Sequence, residues 1–327
     1  MRLIDLRNPA FFLALLAFSS AATAGDGAYS WLMKMSQATR TLNYDGTFVY
    51  QHGDQLEAMR IIHAVRDGSV RERLVSLNGS AREVIRDDQR VMCYLPDRKS
   101  IIVEHRFLGR DKSFPVVLPE SVRVLNKNYV IQLGAAGRVS GREAQVVIIR
   151  PRDQYRYGYH LWAHKETGLL LKADLVDHRG KTLEQFMFTQ VKIGHVIDAA
   201  DLQPAMGVDD MVWYIGKTMD DVTVQPAKGW TASKVPAGFV LSNHMMRKTP
   251  GHSNPVEHLV YTDGLAAISV FIEKVDRGTR SVIVGGSTMG AVHAFGKVVN
   301  DHQIIVVGEV PAATVELIAK SVVAQPQ

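Results

Sequence analysis

The stretch "YRYGYHLWAHKETGLLLKADLVDHRGKTLEQFMFTQVKI" runs from residue 155 to residue 193, and its reading sets the fold class. Tyr155, Tyr157, Tyr159 and Leu161 alternate with Arg156, Gly158, His160 and Trp162, the two-residue period of an extended strand. After the turn residues "HKETG", Leu169, Leu171, Ala173 and Leu175 alternate with Leu170, Lys172, Asp174 and Val176. "HRGK" turns again and "TLEQFMFTQVKI" returns. Connections this short join antiparallel neighbours, because a parallel crossover needs about a dozen residues or more. Both faces of this meander carry apolar groups, so each needs cover: one from a packed helix, the other from something else, for which a ligand is a candidate.

Working outward, the same grammar recurs upstream. "YDGTFVYQ", "LEAMRIIHAV", "VRERLVSL", "AREVIRD", "VMCYLP" and "SIIVEH" read as strands punctuated by turns such as "RDGS" and "NGS". Before them, Ala28, Trp31, Leu32, Met35, Ala38 and Leu42 recur at helical spacing and predict a helix with one apolar face. Between 106 and 138 the rhythm lapses, and loops with short helical turns crossing the sheet are expected. Downstream the pattern weakens around "GHVIDAADLQPAMGVDD", and a linker is expected by "TVQPAKGW". A second unit follows. It has a strand from Phe239, a hairpin turning at Asp263 and Gly264, another turning at Asn300 and Asp301, and a terminal helix with Pro311 near its first turn. The expected division is 1–24 signal peptide, 25–200 first domain, 201–225 linker and 226–324 second domain.

The first residues specify export. Arg2 and Arg7, the short apolar run "FFLALLAF" and small residues at 22 and 24 have the form of a cleaved secretory signal. Cys93 is the one cysteine, which excludes an internal disulfide and any multi-cysteine metal site, and its apolar neighbours favour an inert buried thiol. Setting aside the signal leaves a net charge of +4, and the span from Arg60 to Lys127 alone carries 14 basic against 9 acidic residues. Such a surplus attracts anionic groups. Export argues against nucleic acid, and the interspersed acids favour a solvated face of mixed charge.

Candidate chemistry is sparse. His160 and His164 lack the "HExxH" pattern and a third ligand, "VGGSTMGAVH" lacks the Lys-Ser/Thr pair of a phosphate loop, and no GxSxG elbow occurs. No catalytic residue, metal site or cofactor is therefore assigned, and the chain is expected not to be an enzyme. In "PRDQYRYGYHLW" (151–162), Asp153 flanked by Arg152 and Arg156 reads first as a carboxylate fixing a sheet corner and second as a clamp for a partner. The tyrosine row suits a core edge and a binding surface alike.

Six ordered blocks, "YDGTFVY", "VRERL", "PRDQYRYGYHLW", "ETGLLLKADLVDHRGKTLEQFMFTQ", "YTDGLAAISVFIE" and "VVGEVP", together resemble the RseB/MucB family. The resemblance runs from residue 44 to 311 and has no block between about 106 and 138. It implies an α+β protein: a half-open antiparallel β-barrel around a helical plug, similar to lipoprotein carriers, with a smaller C-terminal α+β domain. It also implies a periplasmic negative regulator of an envelope-stress sigma factor. Such a regulator binds the periplasmic part of a membrane-spanning anti-sigma factor, shields it from a site-one protease, and lets go when lipid or lipopolysaccharide fragments bind. On that reading lipid meets the inner face of the meander, with Phe48, Tyr50, Leu171 and Phe188 as candidates. The peptide meets the smaller domain and the cleft, with Arg152, Arg156, Tyr157, Tyr261 and Phe271 as candidates. A homo-oligomer is left open. The rival reading is a periplasmic lipid or lipoprotein carrier.

Overall fold

The computed structural model describes residues 21–105, 118, 122–205, 207, 210–215, 229–247, 255–275 and 282–325. The expected signal lies outside these apart from residues 21–24, as do residues 216–225 of the expected linker and most of 106–121 in the stretch 106–138 expected as loops and short helical turns; the end of that stretch is a strand, Tyr129–Val139.

Helix α1 (Ala21–Thr41) leads into the strands of a large sheet: β1 (Tyr44–His52), β2 (Gln55–Arg66), β3 (Ser69–Ser76), β4 (Glu83–Arg86), β5 (Arg90–Leu95) and β6 (Ser100–His105). After a short 3-10 turn at Val122–Lys127 come β7 (Tyr129–Val139), β8 (Arg142–Pro151), β9 (Gly158–His164), β10 (Leu170–Val176), β11 (Thr182–Ile193) and β12 (Val212–Ile215). The sheet has 12 strands in the order β12-β6-β5-β4-β3-β2-β1-β11-β10-β9-β8-β7. Two meanders are thus joined where β1 lies antiparallel to β11, and β12 pairs in parallel with β6. Turn chemistry sets the register. At the β2–β3 connection Asp67 (φ 52°) and Gly68 (φ 79°) both take positive φ, the primed turn whose twist matches its strands.

Helix α1 covers one face of this sheet, as its spacing predicts. Ala28, Leu32 and Met35 pack with Phe48, Ile61, Val147, Leu161, Leu171, Phe186 and Phe188 in one buried cluster. Each large apolar side chain taken from water there contributes roughly 1.5–3 kcal/mol, so packing rather than helix propensity holds α1 in place.

The opposite face of β2–β5 is covered by chain that follows β11. Ile197 and Leu202 pack on Ile62, Arg73 Nη1 donates to the Asp201 carbonyl at 2.9 Å, and the buried Glu83 carboxylate accepts from Arg73 and from Ala205 N at 3.2 Å. The start of the expected linker is therefore docked on the sheet. Its sequence lacks a strand period because it crosses the strands without pairing to them.

The second lobe holds β13 (Trp230–Ala232), β14 (Val240–Arg247), β15 (Val256–Thr262), β16 (Ala267–Lys274), β17 (Gly285–Met289), β18 (Val292–Val299), β19 (His302–Gly308), α2 (Ala312–Ser321) and β20 (Val322–Ala324). Its 6-stranded sheet has the order β14-β15-β16-β19-β18-β17, and β13 pairs with β20. Leu259, Ile268, Val270, Ile272, Ile304 and Val306 form the face that packs against Val315, Ile318 and Ala319 of α2. Both expected hairpins are present, and Asn300 (φ 48°) and Asp301 (φ 59°) form the second primed turn. The glycine stretch "VGGSTMGAVH", which lacks the residues of a phosphate loop, contains the β17–β18 hairpin, turning at Gly290.

One expectation within the deciding stretch is corrected. The strand begins at Gly158, not at Tyr155. Asp153 Oδ1 accepts from Tyr155 N at 2.9 Å and bends residues 152–157 into a loop, so the alternation written there is not spent on a strand.

Candidate functional site at the seam between the lobes

The two lobes meet along a seam built mainly from that bent loop. The Arg156 side chain is fully buried. Its Nε and Nη2 donate to the two oxygens of Asp153 at 3.1 and 3.0 Å, within its own lobe. Across the seam Nη1 donates to Asp263 Oδ2 at 2.7 Å and Nη2 to the Ala237 carbonyl at 2.5 Å. The guanidinium carbon Cζ lies 4.9 Å from the ring centre of Phe239 and 5.6 Å from that of Tyr129, so one ring from each lobe flanks the cation.

Asp263 is held from several directions. Its Oδ2 also accepts from the Tyr129 hydroxyl at 2.8 Å, while Oδ1 accepts from Leu265 N and Ala266 N at 3.0 and 2.8 Å. The same turn brings Leu265 against the cluster under α1. Close by, Thr314 of α2 donates to the Tyr155 carbonyl at 2.8 Å. Gly238 (φ 87°) presses on Asn128, where a Cβ would enter the asparagine side chain.

The remainder of the seam is softer. Glu184 accepts the Tyr50 hydroxyl in a short bond and Ala291 N at 3.3 Å. Tyr157 Oη lies 3.4 Å from His293 Nδ1, and Tyr157, Leu175 and Ala291 form a small buried cluster with Tyr159 and Leu183 at its edge. Burial pushes the Tyr157 phenol up to about 12, helped by the negative charges of Glu309, Asp177 and Glu184. Burial raises Tyr129 as well, with the charge and hydrogen bond of Asp263 adding to it. These phenols therefore remain protonated donors at neutral pH.

The structure distributes the sequence-derived candidates over several places. Arg156, Tyr157 and Tyr50 come together at the seam. Phe48, Leu171 and Phe188 lie in the core beneath α1, with the Phe48 ring 5.0 Å from Phe186 and 6.1 Å from Phe188. Arg152 turns back to its own lobe, its backbone N–H donating to the Asn128 carbonyl at 2.9 Å. In the second lobe Tyr261 is buried against the α2 side and its hydroxyl accepts from Ala232 N at 3.0 Å. Phe271 stacks on His258 at 4.3 Å on the opposite face of that sheet.

Asp153 was anticipated as a partner of the arginines, but Asp263 and the Tyr129 ring were missed. Asp263 sits in a "TDG" turn signal, which is complete without a long-range role, and Tyr129 lies within the stretch where the sequence rhythm lapses. The other lobe adds to the cover of the same meander face that α1 packs on, through Ala291 and Leu265, and not to the second side. Among the described residues no group of three or more His, Cys, Asp or Glu could hold a metal ion, and no helix is long and apolar enough to cross a membrane. Cys93 is half-buried, and burial raises its thiol further from the reactive thiolate.

This two-lobed chain matches, in order, the models of the MucB/RseB N-terminal domain over residues 27–206 and of the MucB/RseB C-terminal domain over residues 224–323. The protein belongs to the MucB/RseB family. It is 34% identical to the sigma factor AlgU regulatory protein MucB of Pseudomonas aeruginosa over 92% of each chain. It is 26% identical to the sigma-E factor regulatory protein RseB of Escherichia coli K12 over 94% of each. Among solved structures, the Pseudomonas aeruginosa MucA/MucB complex superposes with a TM-score of 0.70 at 31% identity, covering 92% of this chain and 100% of that one. A crystal structure of MucB gives a TM-score of 0.62 at 32% identity, covering 92% of this chain and 98% of that one. The seam is thus a feature of a MucB/RseB chain whose two lobes both fall within the matched length.

Proposed function

We propose that this protein works in the periplasm by binding the periplasmic segment of a membrane-spanning anti-sigma factor, so that a site-one protease cannot cut it. The observation that carries this reading is the likeness, through both lobes, to a MucB solved together with MucA. Binding is sufficient for the role. Cleavage falls with the unbound fraction of the segment, so about a hundredfold excess of regulator over its dissociation constant lowers cleavage about a hundredfold. The reading is one of binding and not of catalysis.

The finer parts of the proposal concern shape and release. We take the large sheet as a half-open barrel with α1 as its plug. In support, the β7–β8 turn reaches back to β11 through Ser140 to the Thr189 carbonyl and Arg142 to the Val191 carbonyl. Lipid or lipopolysaccharide fragments would release the segment only if they bind its empty conformation more tightly, by an amount equal to the coupling. For an acyl chain to reach Phe48, Leu171 and Phe188, α1 must shift, because it covers them.

The test is to incubate the mature protein with the periplasmic anti-sigma segment and the protease, with and without lipid. Protection that saturates with protein is expected, and unchanged cleavage at saturation eliminates the reading. Native mass spectrometry of freshly isolated protein addresses the carrier alternative, which predicts co-purified lipid.

A further inference from the structure

We infer that Arg156 and Asp263 form a two-state latch that fixes how the lobes sit on one another, and that the anti-sigma segment is held by the latched arrangement; the second half rests on the function proposed above. The argument starts from the cost of a buried guanidinium. In the seam Arg156 is fully buried and satisfied by Asp153, Asp263 and the Ala237 carbonyl. In an opened seam water would satisfy it equally. A partly opened seam does neither for the cross-lobe contact: Asp153 still pairs with Arg156, but Nη1 and the buried Asp263 Oδ2 lose each other before water can reach them, which is unfavourable. The intermediate is therefore penalised and both end states are allowed, the condition for a switch in place of a gradual drift.

Both halves of the latch are prepared within their own lobes. Asp153 is oriented by the Tyr155 N–H, and Asp263 by Leu265 N and Ala266 N, all of which belong to local turns that survive separation of the lobes. Closure then has little to organise beyond the Arg156 side chain itself. Among the other polar contacts across the seam, Thr314 Oγ1 donates to the Tyr155 carbonyl at 2.8 Å, whereas those between Glu184 and Ala291 and between Tyr157 and His293 are long, at 3.3 and 3.4 Å. Gly238 allows the backbone carrying the Ala237 acceptor to approach Asn128, and no side chain fits between them.

A segment that engages both lobes reads their orientation. If loss of the latch lowers the latched fraction to about a tenth, the apparent affinity for such a segment falls about tenfold with no change in the contacts it makes. The experiment uses the full mature chain and its Arg156→Ala, Arg156→Lys and Asp263→Asn variants. Far-UV circular dichroism reports folding, small-angle scattering reports lobe arrangement, and fluorescence anisotropy with a labelled periplasmic anti-sigma peptide reports binding. Expected are native dichroism, a larger maximum dimension in scattering and about tenfold weaker binding for Arg156→Ala, with Arg156→Lys between it and the parent. Asp263→Asn keeps side-chain shape and decides the matter if Arg156→Ala does not fold. Folded variants that scatter like the parent overturn the latch. An opened profile with unaltered peptide affinity overturns its link to binding. Failure of the parent itself to bind the peptide removes the functional reading and leaves the scattering result to stand alone.

Discussion

Removing the acid from the seam should cost far more stability than removing the base. In Asp263→Ala the buried Arg156 loses its cross-lobe carboxylate, the Tyr129 hydroxyl loses its acceptor, and two turn N–H groups lose theirs. Breaking a buried pair from one side typically costs about 3–5 kcal/mol. Asp153 and the Ala237 carbonyl still hold the guanidinium, which places the expectation near the lower end, about 3 kcal/mol. Arg156→Met behaves differently. Its stem continues to pack between Tyr129 and Phe239, Asp263 retains the hydroxyl and two N–H donors, and Asp153 keeps some exposure to water. This too breaks the pair from one side, but methionine fills the volume of the removed ion and the three donors left to Asp263 hold its buried charge, so the loss is expected below that range, at about 1 kcal/mol. Equilibrium urea unfolding, followed by both tryptophan fluorescence and circular dichroism, measures the two differences. Arg156→Met as costly as Asp263→Ala would refute the reasoning, since it would place the stabilisation in the charge and not in the satisfaction of buried partners.

Phe48→Ala removes a fully buried ring between Phe186 and Phe188 and should cost about 3–5 kcal/mol, read as a lower urea midpoint at unchanged slope. Gly46→Ala should also destabilise, because its Cβ would come within 2.7 Å of both the Gln190 carbonyl and the Phe188 ring; a melting temperature equal to the parent's would contradict the close pairing of β1 and β11. The raised phenol of Tyr157 gives an alkaline signature. Below pH 10 folded and unfolded chains both hold the proton, and above it the unfolded chain releases it first, so this stabilisation declines from about pH 10 upward, until the folded phenol too ionises at about 12. Absorbance at 295 nm alongside urea midpoints from pH 8 to 12 checks this, and loss of stability already at pH 8 to 9 would point to another group.

Much of the fold was legible because it is locally encoded. A period of two, a period of 3.6 and turns such as Asp67-Gly68 and Asn300-Asp301 act within a few residues, so the meanders, both C-terminal hairpins and the two helices could be placed without knowledge of the rest. The strand start at Tyr155 failed where a side chain outweighed the pattern, with Asp153 bending the loop and drawing Arg156 inward. The run after β11 was read as a weakening pattern that passes into linker from 201, because chain that crosses a sheet carries no period of its own, although Ile197 and Leu202 bury as fully as strand residues.

The candidate site divides the same way. Its near half was visible in the stretch "PRDQYRYGYHLW", where a carboxylate three residues from an arginine suggested a fixed corner. Its far half, Asp263, lies 107 residues along the chain from Arg156 and looks like any other hairpin turn. The sequence by itself determined the elements, their turns and the family to which the chain belongs, since those depend on neighbours in the chain. Which side chains meet across the seam, and that Phe48, Leu171 and Phe188 lie beneath α1, was decided only by tertiary packing. Burial and ion pairing depend on distances in space, and no local pattern records them.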